Sequence, residues 1–399
     1  MMERRVPDWR FGNNDIVCKK KLKDFAVYAN NRGTCEKTCY VSTENLLPNY
    51  GGVYFDNVNL HECEGISYQK GDILLSNIRP YLKKIWLADK DGCTSADVLV
   101  IRSQDNIDAN YLYYQLATDF FFAQVMKSSK GTKMPRGDKE KIMNIPICIY
   151  SLSEQNKIAS FFSSLDSVIA VQEVNLANLR VTKHGALKKI FSREWRFRDE
   201  DGRKFPEWEE KRLGEVSYLR GRIGFRGYSH KDIVSKDEGI ISLSPTNIVD
   251  NFISFEDGTY ITYEKYKGSP EIQIKINDIL FTKTGSTLGK VGFVNELRQP
   301  ATINPQIALI TAKYNPKYLF YFLRSEASQR YIREIGVGGA IPTLSQEILK
   351  RMRIPFPCFA EQQKIADYFQ RLDKIIEAES TALDAMRKIK RGLLQRLFV

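Results

Sequence analysis

Residues 154–166 read EQNKIASFFSSLD, and residues 361–373 read EQQKIADYFQRLD. The same pattern thus returns 207 residues later (154 to 361). A repeat of that length must be resolved before any local reading of structure. The correspondence extends outward on both sides. Upstream, Tyr111-Leu112-Tyr113-Tyr114 matches Tyr318-Leu319-Phe320-Tyr321, and Gly71-Asp72-Ile73-Leu74 resembles Asn277-Asp278-Ile279-Leu280. Gly131 and Met134-Pro135 correspond to Gly338 and Ile341-Pro342, and Ile145-Pro146 to Ile354-Pro355. Downstream, Lys183 matches Lys390, and Ile190-Phe191 matches Leu397-Phe398. Trp9-Arg10-Phe11 recurs as Trp195-Arg196-Phe197. The chain is therefore two copies of one unit, each a globular part followed by a helical part. The globular parts have diverged much further than the helical parts, as expected of one scaffold that presents two different readers.

The helical parts carry a heptad seam. Steps of four and three give Ile158, Phe162, Leu165, Ile169, Gln172, Leu176, Leu179, Lys183, Ala186 and Ile190 in the first copy. The second gives Ile365, Phe369, Leu372, Ile376, Glu379, Leu383, Met386, Lys390, Leu393 and Leu397. An apolar seam sustained over this length is the coiled-coil signal. Both copies interrupt it at the same two places, Gln172 and Lys183, then Glu379 and Lys390. Polar seam residues lower stability and fix register. Ser151 and Ser153 ahead of Glu154 suit a helix start, and no proline interrupts either stretch, although Gly185 and Gly392 weaken the last turns. A helix of about 35 residues is roughly 50 Å long. Because one chain carries both halves, the two helices are expected to pair with each other, antiparallel, rather than to hold a homodimer together.

Residues 15–150 and 207–357 read as α+β. Short strands are predicted at Gly71–Leu75, Asp97–Ile101, Gly239–Leu243, Gly258–Tyr263 and Asp278–Thr282, and helices at Ala109–Lys127 and Pro316–Glu334. Polar loops follow the equivalent Asp-Ile-Leu strands: Ser76 to Tyr81 in the first copy, Thr282 to Thr287 in the second. A further loop, Lys130 to Arg136, corresponds to Gly336–Pro342, and Arg220 to Tyr228 is a basic, glycine-rich run with aromatics. Arg and Lys donate to guanine O6 and N7, Asn and Gln pair with adenine, and hydroxyls adapt to either. Glycines let backbone amides approach phosphates. The candidate DNA-binding residues are accordingly Asn77, Arg79, Tyr81, Lys130, Thr132, Lys133, Arg136, Arg220, Arg222, Arg226, Tyr228, Lys283, Thr284 and Ser286. The alternative is that these are solvated surface loops.

The net charge of +12 favours a polyanionic partner. The seven cysteines are irregularly spaced without a CxxC, and read as reduced thiols of a cytoplasmic protein. The first ten residues are charged, and no run of about 18 apolar residues occurs, so neither a secretory signal nor a membrane span is expected. Motifs for chemistry are incomplete. Asn304-Pro305-Gln306 and Asn315-Pro316-Lys317 lack the second proline of an adenine methyltransferase motif. Gly285 to Lys290 has a phosphate loop's glycines at the wrong spacing, with Val291 after the lysine. Glu209-Glu210-Lys211 matches a nuclease fragment without its partner aspartate. Cys35, Cys39, His61 and Cys63 do not have standard zinc spacing, and His184 and His230 read as surface residues. No metal or cofactor is expected.

The doubled EQxKIAxxFxxLDxxI opening, each time after an Ile-Pro strand and a Gly-x-x-x-Pro loop, resembles the Type I restriction–modification specificity subunits over nearly the whole chain. The resemblance implies two target recognition domains, 1–150 and 193–357, separated by two spacer helices, 151–192 and 358–399, packed as an antiparallel coiled coil with pseudo-two-fold repetition. It implies a non-catalytic subunit that reads a bipartite double-stranded DNA target. One recognition domain serves each half, and helix length sets the unread gap. Independently, two heads roughly 50 Å apart would sit about 15 base pairs apart on a duplex. The subunit's partners would be two adenine methyltransferase subunits and motor-nuclease subunits. Glu154, Gln155, Lys157, Glu361, Gln362 and Lys364 would lie in the helical scaffold as structural or partner-docking residues. The competing reading is a stand-alone coiled-coil DNA-binding regulator or adaptor.

Overall fold

The structure, a computed structural model, describes residues 18–55, 62–221, 228–249, 252–335 and 342–398. Two helices of 40 residues dominate it, Leu152–Phe191 and Phe359–Phe398. Ser151 Oγ accepts from the Glu154 amide at 3.3 Å, so the first helix opens on the serine expected to cap it. The chain divides into two compact units, Met1–Asn175 with Glu379–Val399, and Leu176–Ala378. The division falls inside both long helices, so each unit contains one globular region and half of each helix. It therefore cuts across the four-part division read from the sequence.

In the first unit the main sheet runs in the order Ala26–Tyr28, Val98–Ser103, Ile73–Ser76 and Ile85–Leu87, antiparallel throughout. A second sheet runs Arg32–Glu36, Glu62–Tyr68, Gly92–Thr94 and Tyr40–Val41, the last pair parallel. A two-stranded ribbon, Cys18–Lys21 with Pro146–Ile149, leads into the long helix. The second unit repeats the main sheet in Ser217–Gly221, Ile307–Ala312, Asp278–Thr282 and Val291–Phe293. Its ribbon is Glu209–Arg212 with Arg353–Phe356. The second sheets differ. In the second unit the order is Ile233–Val234, Thr259–Ile261, Ile240–Leu243 and Ala301–Ile303. Counted along the chain, the last two strands have exchanged places relative to the first unit.

Each predicted helix of the globular regions is two helices. Ala109–Leu116 stops before Asp119–Ser128, because Thr118 leaves helical geometry and its hydroxyl takes the Phe121 amide. Pro316–Leu323 is likewise separated from Glu326–Ile335. These corners let two amphipathic faces cover one sheet. In the first unit Leu112, Phe121, Phe122 and Ile142 pack with Ile158 and Phe162 of one long helix and Leu394, Leu397 and Phe398 of the other. In the second, Tyr318, Leu319 and Phe322 pack with Ala186, Ile190, Ile365 and Phe369.

The predicted seam is buried over most of the first helix, and in the second Ile365, Phe369, Leu383 and Leu397 are buried while the rest of the seam is half-buried. In the first unit Lys390 pairs with Asp166, Arg387 with Glu173 at 2.6 Å, and Gln172 with Glu379. From Asp166 with Lys390 to Gln172 with Glu379, rising numbers on one helix meet falling numbers on the other, which is antiparallel packing. In the second unit Lys183 pairs with Asp373. The polar interruptions are thus partnered. Tyr114 donates to Asp166 at 2.8 Å, and its repeat counterpart Tyr321 to Asp373 at 2.7 Å. Each closing aspartate of the quoted motif therefore binds a lysine of the opposite helix and a tyrosine of its own globular region. Burial lowers the pKa of Lys183 below the usual lysine value, and Asp373 opposes that shift.

One expectation is corrected. Cys35 and Cys93, 58 residues apart in sequence, form a disulfide between two strands of the first unit's second sheet, with Cα atoms 5.8 Å apart. Neither lies in a recognisable spacing, so only the pairing of the strands brings the sulfurs together. Cys18, Cys39, Cys63, Cys148 and Cys358 are free thiols.

Candidate nucleic-acid interface

The polar loops singled out from the sequence meet at one backbone node in each unit. In the first, the Asn77 amide donates to Asp97 O at 2.8 Å, the Gly137 amide to Asn77 O at 2.9 Å, and the Arg79 amide to Pro135 O at 2.8 Å. In the second, the Lys283 amide donates to Gln306 O at 2.8 Å, the Leu344 amide to Lys283 O at 2.8 Å, and the Gly285 amide to Pro342 O at 3.0 Å. Bridges Ile78 to Arg136 and Thr284 to Thr343 complete the match. Asn77, Ile78 and Arg79 thus occupy the frame held in the other unit by Lys283, Thr284 and Gly285. Backbone hydrogen bonds fix the frame, so the side chains are free to differ.

In the first unit Arg79, Tyr81, Lys130, Thr132, Lys133 and Arg136 are exposed around this node. Gly131, at φ +91°, turns the loop that Lys130 and Arg136 close by exchanging backbone hydrogen bonds of 2.9 Å. Arg136 pairs with Asp97, and Lys130 stands 3.5 Å from Asp138. Neither pairing encloses its cation, whose side chains remain 58% and 81% exposed. Asn77 differs: it is 4% exposed, and its Oδ1 is buried without a hydrogen-bond partner.

In the second unit Lys283 and Thr284 are half-buried and Ser286 is exposed. Arg220 is committed elsewhere. It lies on the edge strand of the main sheet and donates to buried Asp278 at 2.9 Å and to Thr311 Oγ1 at 2.9 Å. A direct base-reading role for Asn77 or Arg220 is therefore set aside, because burial and an internal ion pair occupy them. Tyr228 is half-buried, with its hydroxyl 3.4 Å from Ser242 Oγ. Arg222, Arg226 and most of Gly336–Pro342 lie outside the described residues.

The structure adds residues that the sequence reading passed over. Asn304 and Gln306, weighed there only as a broken methyltransferase motif, form the turn beside Lys283, their amides 3.0 Å apart. The signal was available, since this turn joins two strands just as Ser95–Asp97 does in the first unit. Gln306 is exposed and Asn304 half-buried, and side-chain amides suit adenine edges.

The Glu-Gln pairs of the repeated motif point inward. Gln155 donates to Tyr150 O at 2.9 Å and accepts from the Asp108 amide at 3.0 Å, and Gln362 donates to Pro357 O at 2.8 Å. Glu361, fully buried, holds Arg196 at 3.0 Å and the Trp208 indole N–H at 2.7 Å. Glu154 is buried too, and Lys157 lies 3.8 Å from it with its own side chain exposed. Lys364 donates to Arg198 O at 2.8 Å. Gln155 in the first copy, and Glu361 with Gln362 in the second, therefore lock each helix start onto its globular region. Among the described residues no cluster of three or more His, Cys, Asp or Glu forms a metal site, and no helix is long and apolar enough to cross a membrane.

A family model described as the Type I restriction modification DNA specificity domain matches residues 15–179 and 206–386. The Type I restriction enzyme MjaVIII specificity subunit of Methanocaldococcus jannaschii is 25% identical over 369 residues, covering 90% of this chain and 84% of that protein. The Type I restriction enzyme EcoDI specificity subunit of Escherichia coli is 28% identical over 180 residues, 41% of this chain and 40% of that one. In fold, the chain is similar to the Type I restriction–modification S subunit from M. genitalium, with a TM-score of 0.57, 16% identity and 99% of both chains covered. It is also similar to a chain from work on assembly and conformational transition of the type I R-M system, with a TM-score of 0.61, 17% identity, and 96% of this chain and 97% of that one covered.

Proposed function

The chain belongs to the Type I restriction–modification DNA specificity family, and from that premise we propose that it reads a bipartite double-stranded DNA target, one half-site per unit. It is the non-catalytic specificity subunit. Adenine methylation and ATP-driven cleavage belong to two methyltransferase subunits and to motor-nuclease subunits that assemble with it, in the cytoplasm. Residues 1–150 and 193–357 act as the recognition domains, and 151–192 and 358–399 as the spacer helices.

The observation that carries this reading is the repeated loop node. The same backbone hydrogen bonds hold Asn77 to Arg79 in one unit and Lys283 to Gly285 in the other, with different side chains on the same frame. Such a frame suits one complex that recognises two unlike half-sites. DNA contacts are assigned to Arg79, Tyr81, Lys130, Thr132, Lys133 and Arg136 in the first unit, and to Lys283, Thr284 and Ser286 with Asn304 and Gln306 in the second. Cations position the duplex on its phosphates, while forks, amides and hydroxyls read base edges.

Co-expression with its methyltransferase partner, followed by mapping of adenine methylation at base resolution, tests the reading. The expected result is a two-part motif with a fixed gap, and exchange of residues 207–357 for those of a relative changes only one half. A complex that forms and binds DNA yet methylates no such motif would make the chain a DNA-binding adaptor instead.

A further inference from the structure

Among the described residues, six other than glycine have left-handed backbone: Asn49, Tyr50, Arg79, Lys83, Arg193 and Asn277. Four of them meet at one junction of the first unit. Arg79 and Lys83 flank a single turn, Pro80–Leu82, and the amides of Asn49 and Tyr50 donate to Leu82 O at 2.8 Å and Lys83 O at 3.0 Å. Residues with a Cβ are rarely held in this conformation unless the surroundings over-determine it, and such positions gather at functional sites.

Two of the four side chains have a visible internal task. The Lys83 ammonium and the Tyr50 hydroxyl both bind Asp119. Arg79 has none. Its side chain is exposed and makes no hydrogen bond or ion pair with the described residues. Its backbone is needed, because its amide closes the loop node on Pro135. The equivalent node of the second unit is closed by Gly285, at φ +107°. Glycine adopts that backbone without strain, so the fold itself asks for no side chain here. An arginine has been kept where glycine would serve the fold better.

Resting on the DNA-reading function above, we propose that Arg79 is a specificity-determining residue of the first half-site, its guanidinium fork donating to O6 and N7 of one guanine. A base contact fits better than a phosphate contact. Exposed lysines at 127, 130, 133 and 139 lie in and beside the neighbouring loop that the node holds, on unstrained backbone. A phosphate needs only a nearby cation, whereas a base edge needs a fork fixed in position. Lys84 strengthens the positive field. Burial and the charge of Arg79 lower its pKa, and its ammonium is tied to Thr43 O at 2.6 Å.

The experiment compares wild type, Arg79→Gly and Arg79→Lys as full chains in the methyltransferase complex, reading methylated motif and melting temperature. Arg79→Gly should melt at or above wild type and lose, roughly ten- to a hundredfold, its discrimination at one G·C pair of one half-site. The other half-site should stay unchanged. Arg79→Lys keeps the charge but not the fork, and should relax the same position. An unchanged motif in both variants overturns the proposal. So does a uniform loss of occupancy in Arg79→Gly that Arg79→Lys restores, which would mark a phosphate contact. A lower melting temperature of Arg79→Gly would mark a structural role and overturn it equally. A wild-type complex that methylates no bipartite motif would instead bring down the underlying functional reading.

Discussion

Asp72 and Asp278 pose the same problem at the start of the same strand in the two units, and different arginines answer it. Both carboxylates are buried, at 3% and 0% exposure. Arg102, from the neighbouring central strand, meets Asp72 with two bonds of 2.7 Å. Arg220 meets Asp278 from the edge strand on the far side of that neighbour. A buried carboxylate without its cation is expensive, because breaking such a pair leaves an uncompensated charge. Arg102→Met is expected to cost about 3 kcal/mol, at the low end of the range because the arginine is partly solvated. Chemical denaturation should show that loss, and Asp72→Asn in the same background should recover part of it.

Asp119 makes a second residue-scale case. Burial would raise its pKa, but hydrogen bonds from Lys83, Tyr50 and Gln395 outweigh that and hold it below the usual aspartate value. A carboxylate lowered in the folded state contributes stability above its unfolded pKa and loses it as pH falls through the folded value. Asp119→Asn should therefore lower the melting temperature at neutral pH. The difference from wild type should shrink as the pH drops below about 4. A gap that persisted undiminished at lower pH would show that the ionised form is not what matters.

At the scale of the element, the long helices are specified by where their seam is polar. Gln172 pairs with Glu379, its own counterpart in the repeat. In an antiparallel pairing of two copies, only a residue at the centre of the pairing meets its equivalent. Asp166 with Lys390 and Asp373 with Lys183 are then the flanking pairs. Polar seam positions trade stability for a single register. Replacing both Gln172 and Glu379 with leucine should raise the melting temperature, since apolar packing replaces a desolvated polar pair. It should also loosen register, detectable as mixed oligomeric states by light scattering. A variant that melts higher and stays uniformly one species would show that the flanking lysine–aspartate pairs suffice.

For the whole molecule, the charge of +12 favours a polyanion as partner, and the number of cations set on phosphates sets the salt response. Each phosphate-bound cation adds about 0.9 to the slope of log affinity against log salt. Lys133→Ala should weaken binding to all sequences alike and make the slope shallower by about that amount, measured by titration at several salt concentrations. A change confined to one sequence would make Lys133 a base reader instead.

The sequence by itself determined the duplication, the two long helices, their antiparallel partnership and the loops that gather at each node. These follow from local periodicity and from a repeat that survives in one chain. Even the lysines that break the seam were visible, because their positions recur. Only the tertiary structure decided which loop residues are available. Arg220 looked like a basic DNA contact until the sheet set it against Asp278, and Asn77 looked open until the loops carrying Asp97 and Gly137 closed on it. The exchanged order of the second sheets and the bond between Cys35 and Cys93 were equally hidden. Strands of two to seven residues carry too little pattern to name their partners. Pairing between residues far apart in the chain is settled by burial of both sheet faces together, which no local stretch of sequence records.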